Sequence, residues 1–296
     1  MRNNSPSRRR FIGQAASLTA VTGLLAGCTS APIARKTGMV AVDDGQLYYE
    51  EAGAGSAVVL LHGFTLDTRM WDDQFDVLAQ RHRVVRYDLR GFGKSSLPTG
   101  SYAHADDCKR VMEALGIQRA NIVGLSLGGR VSLDVAVRHP AIVWRVVVLD
   151  TFVGGYVPSQ AFRDASAEMA AVARAGDMAK AKALWLDHAL FKPAATRPAV
   201  RERLHQMVQA YSGFHWTKAN PEVPVSPPVL PRLSELRIPL MAMVGERDIE
   251  DVHAMTSILA KEVAGARKVV IPGVGHMTNM EAPQEVNAHL MKFLAG

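Results

Sequence analysis

Ser126 stands between Gly124 and Gly128 in the pentapeptide GLSLG, directly after the apolar run ANIV. A serine at a strand-to-helix turn is free of the sheet ladder, and the helix that starts there aims its amide groups and positive dipole end at it. Glycines on both sides remove the Cβ atoms that would collide where strand, turn and helix converge. Such a serine can serve as a nucleophile. A hydroxyl at its ordinary pKa attacks poorly, so it needs a base, and the base needs a group that fixes its tautomer. His276 in PGVGHM and Asp248 in GERD are residues of these types, each just beyond a short apolar run. The order Ser126, Asp248, His276, with all three at strand ends, fits covalent acyl transfer. Asp150, which closes VVVLD, is a second candidate for the acid. The base acts only when neutral, so activity is expected to rise with pH through the histidine range.

The elements that must position these residues are legible as periodicity. Residues 57–62, 83–88, 121–124, 145–150, 239–245 and 268–271 are runs rich in β-branched and aliphatic residues, and several are apolar at consecutive positions, as strands covered on both faces must be. Helical patterns over 106–115, 127–138 and 281–294 fall between or after them. In the last, Val286, Leu290, Phe293 and Leu294 make one apolar face. Strands alternating with helices predict an α/β fold, a mostly parallel central sheet wrapped by helices. The segment MVAVDDGQLYYEEAG predicts a hairpin turning at Asp44-Gly45. Between Tyr156 and Pro231 the alternation gives way to alanine-rich helical sequence ending in a proline cluster. It is expected to form a helical cap over the carboxyl ends of the strands, where ligands bind in such sheets. The chain then divides into core 39–155, cap 156–231 and core 232–296. Trp185, Phe191, Tyr211, Phe214, His215 and Trp216 are the cap residues expected to line an apolar substrate pocket.

A length of 296 residues suits one α/β domain with an insertion. The net charge of +6 includes four arginines in the first ten residues; beyond position 28 the balance is only +2. That is too small for an electrostatic footprint on nucleic acid. Ten histidines are scattered without His-Glu-x-x-His or clustered cysteines, so neither a metal site nor a cofactor is expected. Residues 1–28 combine a charged head, a mildly apolar stretch and small residues before Cys28, the layout of an export signal, followed by a linker over 29–38. The apolar stretch is short for a membrane-spanning helix. The head SRRRFI resembles a twin-arginine signal, and LAGC resembles a bacterial lipobox. That resemblance implies export across the inner membrane and acyl chains on Cys28, which would hold the protein to a lipid bilayer on the periplasmic side. Cys108 then lacks an intramolecular disulfide partner and is expected to be a small buried hydrophobe.

Residues 40–296 resemble the α/β-hydrolase superfamily. Besides the GLSLG turn and the Asp248 and His276 loops, LLHGF over 60–64 resembles the family's oxyanion loop, and YDLRGFGKSS over 87–96 its conserved glycine turn. The resemblance implies that the backbone N–H groups of Phe64 and Leu127 bind a developing oxyanion, with His62 and Gly63 shaping the loop. It also implies that Asp88, Arg90 and Gly91 hold the glycine turn. Serine at the turn disfavours the epoxide hydrolase and dehalogenase branches, which carry aspartate there. Thr65 and Leu66 stand where the C–C hydrolase branch has a second glycine, which makes that branch secondary. GLSLGG with DLRGFGKS resembles enol-lactonases, small-ester hydrolases and cofactor-free perhydrolases. A small ester or lactone is thus the implied substrate. C–C bond hydrolysis and peracid formation stand as alternatives on the same three residues. A binding or sensor module that has lost turnover is the alternative of another class.

Overall fold

Strands β3 (Ala57–Leu61), β5 (Ala120–Leu125) and β7 (Leu240–Gly245) are buried at every position; β3 and β5 are the two central strands of an eight-stranded sheet, and β7 lies next to its last strand. A computed structural model describes residues 1–3 and 34–295; the expected export segment and Cys28 lie outside the described residues. The sheet order is β1-β2-β4-β3-β5-β6-β7-β8. Here β1 is Arg35–Val42, β2 Gly45–Ala52, β4 Arg83–Tyr87, β6 Val143–Leu149 and β8 Arg267–Ile271. The β1–β2 hairpin turns at Asp43-Asp44, with Val42 paired to Gly45, and β2 joins β4 antiparallel. All later neighbours run parallel. β1 starts at Arg35, inside the expected 29–38 linker, because its register with β2 continues to the Arg35–Ala52 pair.

Helices α1 (Asp72–Ala79), α2 (His104–Ala114) and α3 (Leu127–Arg138) connect strands of the first half. Between β6 and β7 the chain forms α4 (Gln160–Arg174), α5 (Met178–Leu186), α6 (Lys192–Ala195), α7 (Pro198–Ala210) and α8 (Phe214–Thr217). Their starts follow local rules. Ser159 caps α4 by accepting the Phe162 N–H, Asp177 caps α5 by accepting the Lys180 N–H, and prolines open α6 and α7. α9 (Glu250–Glu262) connects β7 to β8. The helix expected over 281–294 forms as α11 (Pro283–Leu294), starting two residues later, and Glu281 instead ends a separate short helix, α10 (Thr278–Glu281). Pro283 disfavours helical geometry at Ala282, whose φ and ψ are −135° and 60°. The apolar face of α11 is nevertheless the buried one: Val286 and Leu290 are fully covered. No helix among the described residues is long and apolar enough to cross a membrane.

This topology sets the place of the chemistry. From β3 the chain passes to β4 on one side and then returns to β5 on the other, so a crevice opens between the carboxyl ends of β3 and β5. In the register, Leu61 lies beside Gly124, Leu125 beside Leu149, Leu149 beside Met243 and Gly245 beside Ile271. Five strands, β3, β5, β6, β7 and β8, therefore end along one edge, and the loops that leave them meet there.

Candidate active site

Ser126 follows β5 and is the N-cap of α3, with φ 55°. A non-glycine residue in this region is strained by about 1–3 kcal/mol, and such strain persists only where the surroundings enforce it. Two backbone bonds do so: Ser126 N–H donates to Leu149 O at 2.9 Å and Arg130 N–H to Ser126 O at 3.0 Å. A Cβ on Gly124 would lie 2.1 Å from Gly128 O, and one on Gly128 would lie 2.0 Å from Leu61 O. The glycines are thus required by close backbone approach, as the sequence pattern implied.

Asp248 lies in the turn after β7 and His276 in the loop after β8. The imidazole Nδ1 is hydrogen-bonded to Asp248 Oδ2 at 2.8 Å, which assigns the Nδ1–H tautomer and leaves Nε2 as the basic nitrogen. Asp248 Oδ1 accepts the Ile249 N–H. Ser126 and His276 are walls of the same narrow cleft, about 10 Å³ in volume, together with Phe64, Trp185 and Phe191. Asp150 lies beside this pair; one oxygen of each carboxylate and a ring nitrogen of His276 all fall within 4.8 Å of one another. Asp150 Oδ1 accepts the Gly245 N–H at 2.8 Å, and Oδ2 accepts the Thr278 hydroxyl. Burial, then the neighbouring Asp248 charge, push the Asp150 carboxyl well above its ordinary range. Two acids and a histidine could by type hold a cation, but each side chain is already engaged by the hydrogen bonds just described.

The loop after β3 brings Phe64 to the other side of Ser126. Neither the Phe64 nor the Leu127 N–H has a backbone partner among the described residues, so both are available to a ligand. His62 holds this loop. Its Nδ1–H donates to Gly63 O at 2.8 Å and its Nε2 accepts the Leu89 N–H at 2.9 Å. Thr65 has φ 64°, and Trp185 Nε1–H from the insertion donates to Thr65 Oγ1 at 2.6 Å. In the glycine turn, Asp88 accepts the Thr68 and Lys94 N–H groups at 2.7 and 2.8 Å. Arg90 forms a two-bond pair with buried Asp107. Gly91 sits under the His215 ring, where a Cβ would lie 2.6 Å from its carbon.

Above Ser126 is a cavity of about 350 Å³ lined chiefly by apolar groups. Of the aromatic residues expected to line it, Trp185 and Trp216 do, as does His215, and Phe191 lines the narrow cleft below. Tyr211 and Phe214 do not. Tyr211 is buried behind the wall, its ring stacked on Phe92 at 5.5 Å and its hydroxyl bonded to His215 Nδ1. Phe214 packs edge-on against His215 outside the cavity. Phe152, Phe162 and Met169 take their place; Phe152 lies two residues after Asp150, but nothing in its spacing marks the direction of its ring.

Two further supports were absent from the sequence reading. The Glu281 carboxylate accepts the Gly275 and Met277 N–H groups at 3.2 Å on either side of His276, and pairs with Arg197 of the insertion at 2.8 Å. Arg130, one turn into α3, bonds Asp134 at 2.8 Å and Glu222 at 2.6 Å, tying α3 to the segment after α8. Burial raises the Asp134 carboxyl to about 6 against the pull of Arg130. Cys108 is fully buried, and its thiol is pushed up to about 12 by burial, which makes it inert.

Residues 56–283 match the alpha/beta hydrolase fold family. A protein of Azorhizobium caulinodans provisionally named carbamate hydrolase RutD is 27% identical over 258 residues, covering 84% of this chain and 95% of that one. Among solved structures, the enol-lactonase of Burkholderia xenovorans LB400 superposes with a TM-score of 0.76 at 25% identity, over 88% of this chain and all of the other. Est816, described as an N-acyl homoserine lactone degrading enzyme, gives a TM-score of 0.71 at 28% identity, over 86% of this chain and all of its own.

Proposed function

The chain belongs to the alpha/beta hydrolase family, and from that membership we propose that it is a serine hydrolase cleaving small carboxylic esters or lactones through an acyl group carried on Ser126. The observation that carries this reading is the hydrogen bond from His276 to Asp248 on an imidazole that shares a cleft with Ser126. His276 Nε2 takes the Ser126 proton as the oxygen attacks the carbonyl carbon. The carbonyl oxygen gains the electron pair and is held by the Phe64 and Leu127 N–H groups. Collapse of this intermediate expels the alcohol, which leaves with the proton from His276. Water, deprotonated by the same nitrogen, then releases the acid and restores the serine. The Asp248 carboxylate keeps the tautomer and stabilises the imidazolium. One oxyanion donor in such a site is worth about 3–4 kcal/mol at the transition state. The likeness to an enol-lactonase and to a lactone-degrading enzyme supports an ester or lactone carbonyl as the target.

Ser126→Ala is expected to lower turnover of short aryl esters by several orders of magnitude, with urea unfolding unchanged within about 0.5 kcal/mol. A fluorophosphonate probe should label Ser126 in the wild type. Undiminished hydrolysis by the variant removes the serine mechanism; an unlabelled wild type favours a binding module. We propose further that residues 1–28 direct export and that Cys28 is lipidated, anchoring the domain to a membrane. Labelled palmitate is expected to enter the full chain and not Cys28→Ser, and equal labelling of the two contradicts the anchor.

A further inference from the structure

A second and larger cavity, about 700 Å³, adjoins the one above Ser126. It lies between α4, the turn after α5 and the first turns of α9. The inner cavity is near the lower end of the roughly 300–1,000 Å³ expected of small-molecule sites, and the outer one is well within that range. They share two walls, Phe162 and Met169, which are seven residues apart and so lie on one face of α4. Met169 is buried, whereas Phe162 is only half-buried. The Phe162 ring packs against Phe152 of the inner cavity at 5.1 Å and against His188 of the outer cavity at 5.4 Å. A single aromatic ring on an exposed helix thus forms much of the partition between the two.

The lining of the outer cavity states what it would accept. Tyr156, Phe162, Leu184 and Ile249 supply apolar surface, and alanines at 161, 165, 189 and 254 leave room between them. Every residue with a formal charge in the lining is acidic: Glu168, Asp187, Glu250 and Asp251. Asp251 is engaged by the Ser159 N–H, the Ser159 hydroxyl and the Tyr156 hydroxyl, which leaves the other three on the rim. His188 accepts the Leu190 N–H on Nδ1, so the imidazole carries its proton on Nε2. Burial, then the His276 charge, lower its pKa, and the ring is a neutral donor.

On the serine-hydrolase reading given above, we propose that the outer cavity is a subsite for the distal arm of an elongated ester or lactone, an apolar chain without a terminal carboxylate, and that Phe162 is the door this arm displaces. Reaction occurs at Ser126 while the arm crosses the plane of Phe162. A carboxylate at the far end meets only negative charge and is rejected.

The test uses the whole domain and two homologous series of esters, one lengthened from two to twelve carbons on the acyl side and one on the alcohol side. In one series the wild type should hold or raise kcat/KM beyond six carbons. Filling the outer cavity from two different elements, by Ala254→Trp on α9 and Ala165→Trp on α4, should lower the long-to-short ratio of kcat/KM at least tenfold in that series. Phe162→Ala should raise the same ratio. Terminal-carboxylate esters of equal length should be at least tenfold poorer than methyl-terminated ones, and Glu168→Gln with Glu250→Gln should narrow that gap. Ratios unchanged by both tryptophans, or equal acceptance of carboxylate-ended chains, overturn the subsite while leaving short-ester hydrolysis intact. Absence of hydrolysis on every ester overturns the subsite and the hydrolase reading together.

Discussion

Replacing Asp150 by asparagine removes a titratable proton from the floor of the site while keeping the shape of the side chain. The group is fully buried, and its carboxyl is raised well above the ordinary range first by burial and then by the Asp248 charge. A folded state that holds its proton more tightly than the unfolded chain loses stability as pH rises. Above the unfolded value near 3.9 the unfolded chain releases the proton and the folded one retains it, which favours unfolding by about 1.4 kcal/mol per pH unit until the buried carboxyl itself ionises. Asparagine carries no such linkage. Its carbonyl can still accept the Gly245 N–H, and its amide can donate toward Thr278 or Asp248, so the variant should lose no more than about 1 kcal/mol at pH 5. The stability difference, wild type minus Asp150→Asn, should then fall with rising pH. Urea unfolding of both proteins at half-unit steps from pH 5 to 8 measures it directly. A difference that stays flat means that Asp150 is already ionised in the folded protein, and that burial and the Asp248 charge do not raise its carboxyl.

Two further expectations concern the loops around Ser126. Trp185→Phe keeps an aromatic, though smaller, side chain and removes the 2.6 Å bond to Thr65 Oγ1; releasing the loop that carries Phe64 should lower kcat about tenfold with a smaller change in KM, and an unchanged kcat would show that the bond does not position that loop. Gly128→Ala would place a Cβ 2.0 Å from Leu61 O and 2.7 Å from His62 O, so the turn must move away from the oxyanion loop. Hydrolysis and fluorophosphonate labelling should both fall at least about a hundredfold, whereas near-wild-type labelling would contradict the reading of Gly124 and Gly128 as packing requirements.

What the sequence disclosed and what it withheld divide along contact range. Ser126, Asp248 and His276 could be found because each sits where an apolar run stops, and strand ends are punctuated locally by glycine and by change of residue type. Parallel strands covered on both faces then force those ends to one edge, so finding the strands was equivalent to predicting the meeting. The start of α11 at Pro283 was also local, and the proline rule was sufficient to move it two residues inward from Glu281. Glu281 is of another kind. Its partners Gly275 and Met277 are near in sequence, but its burial depends on Arg197 arriving from the insertion, and a glutamate near a helix start otherwise resembles a solvated residue. The aromatics of the insertion show the same division. As aromatics of the insertion Tyr211 and Trp216 have similar claims on the cavity, and the stacking of Tyr211 on Phe92 separates them. Phe162, Met169 and Val172 do recur at helical spacing and mark one apolar side of α4, but that period does not tell which of them faces the cavity. The catalytic candidates are therefore set by backbone topology, which repeats through the family. The walls that would choose a substrate are set by how one alanine-rich insertion settles on that topology, and it is there that variants of this chain should separate it from its relatives.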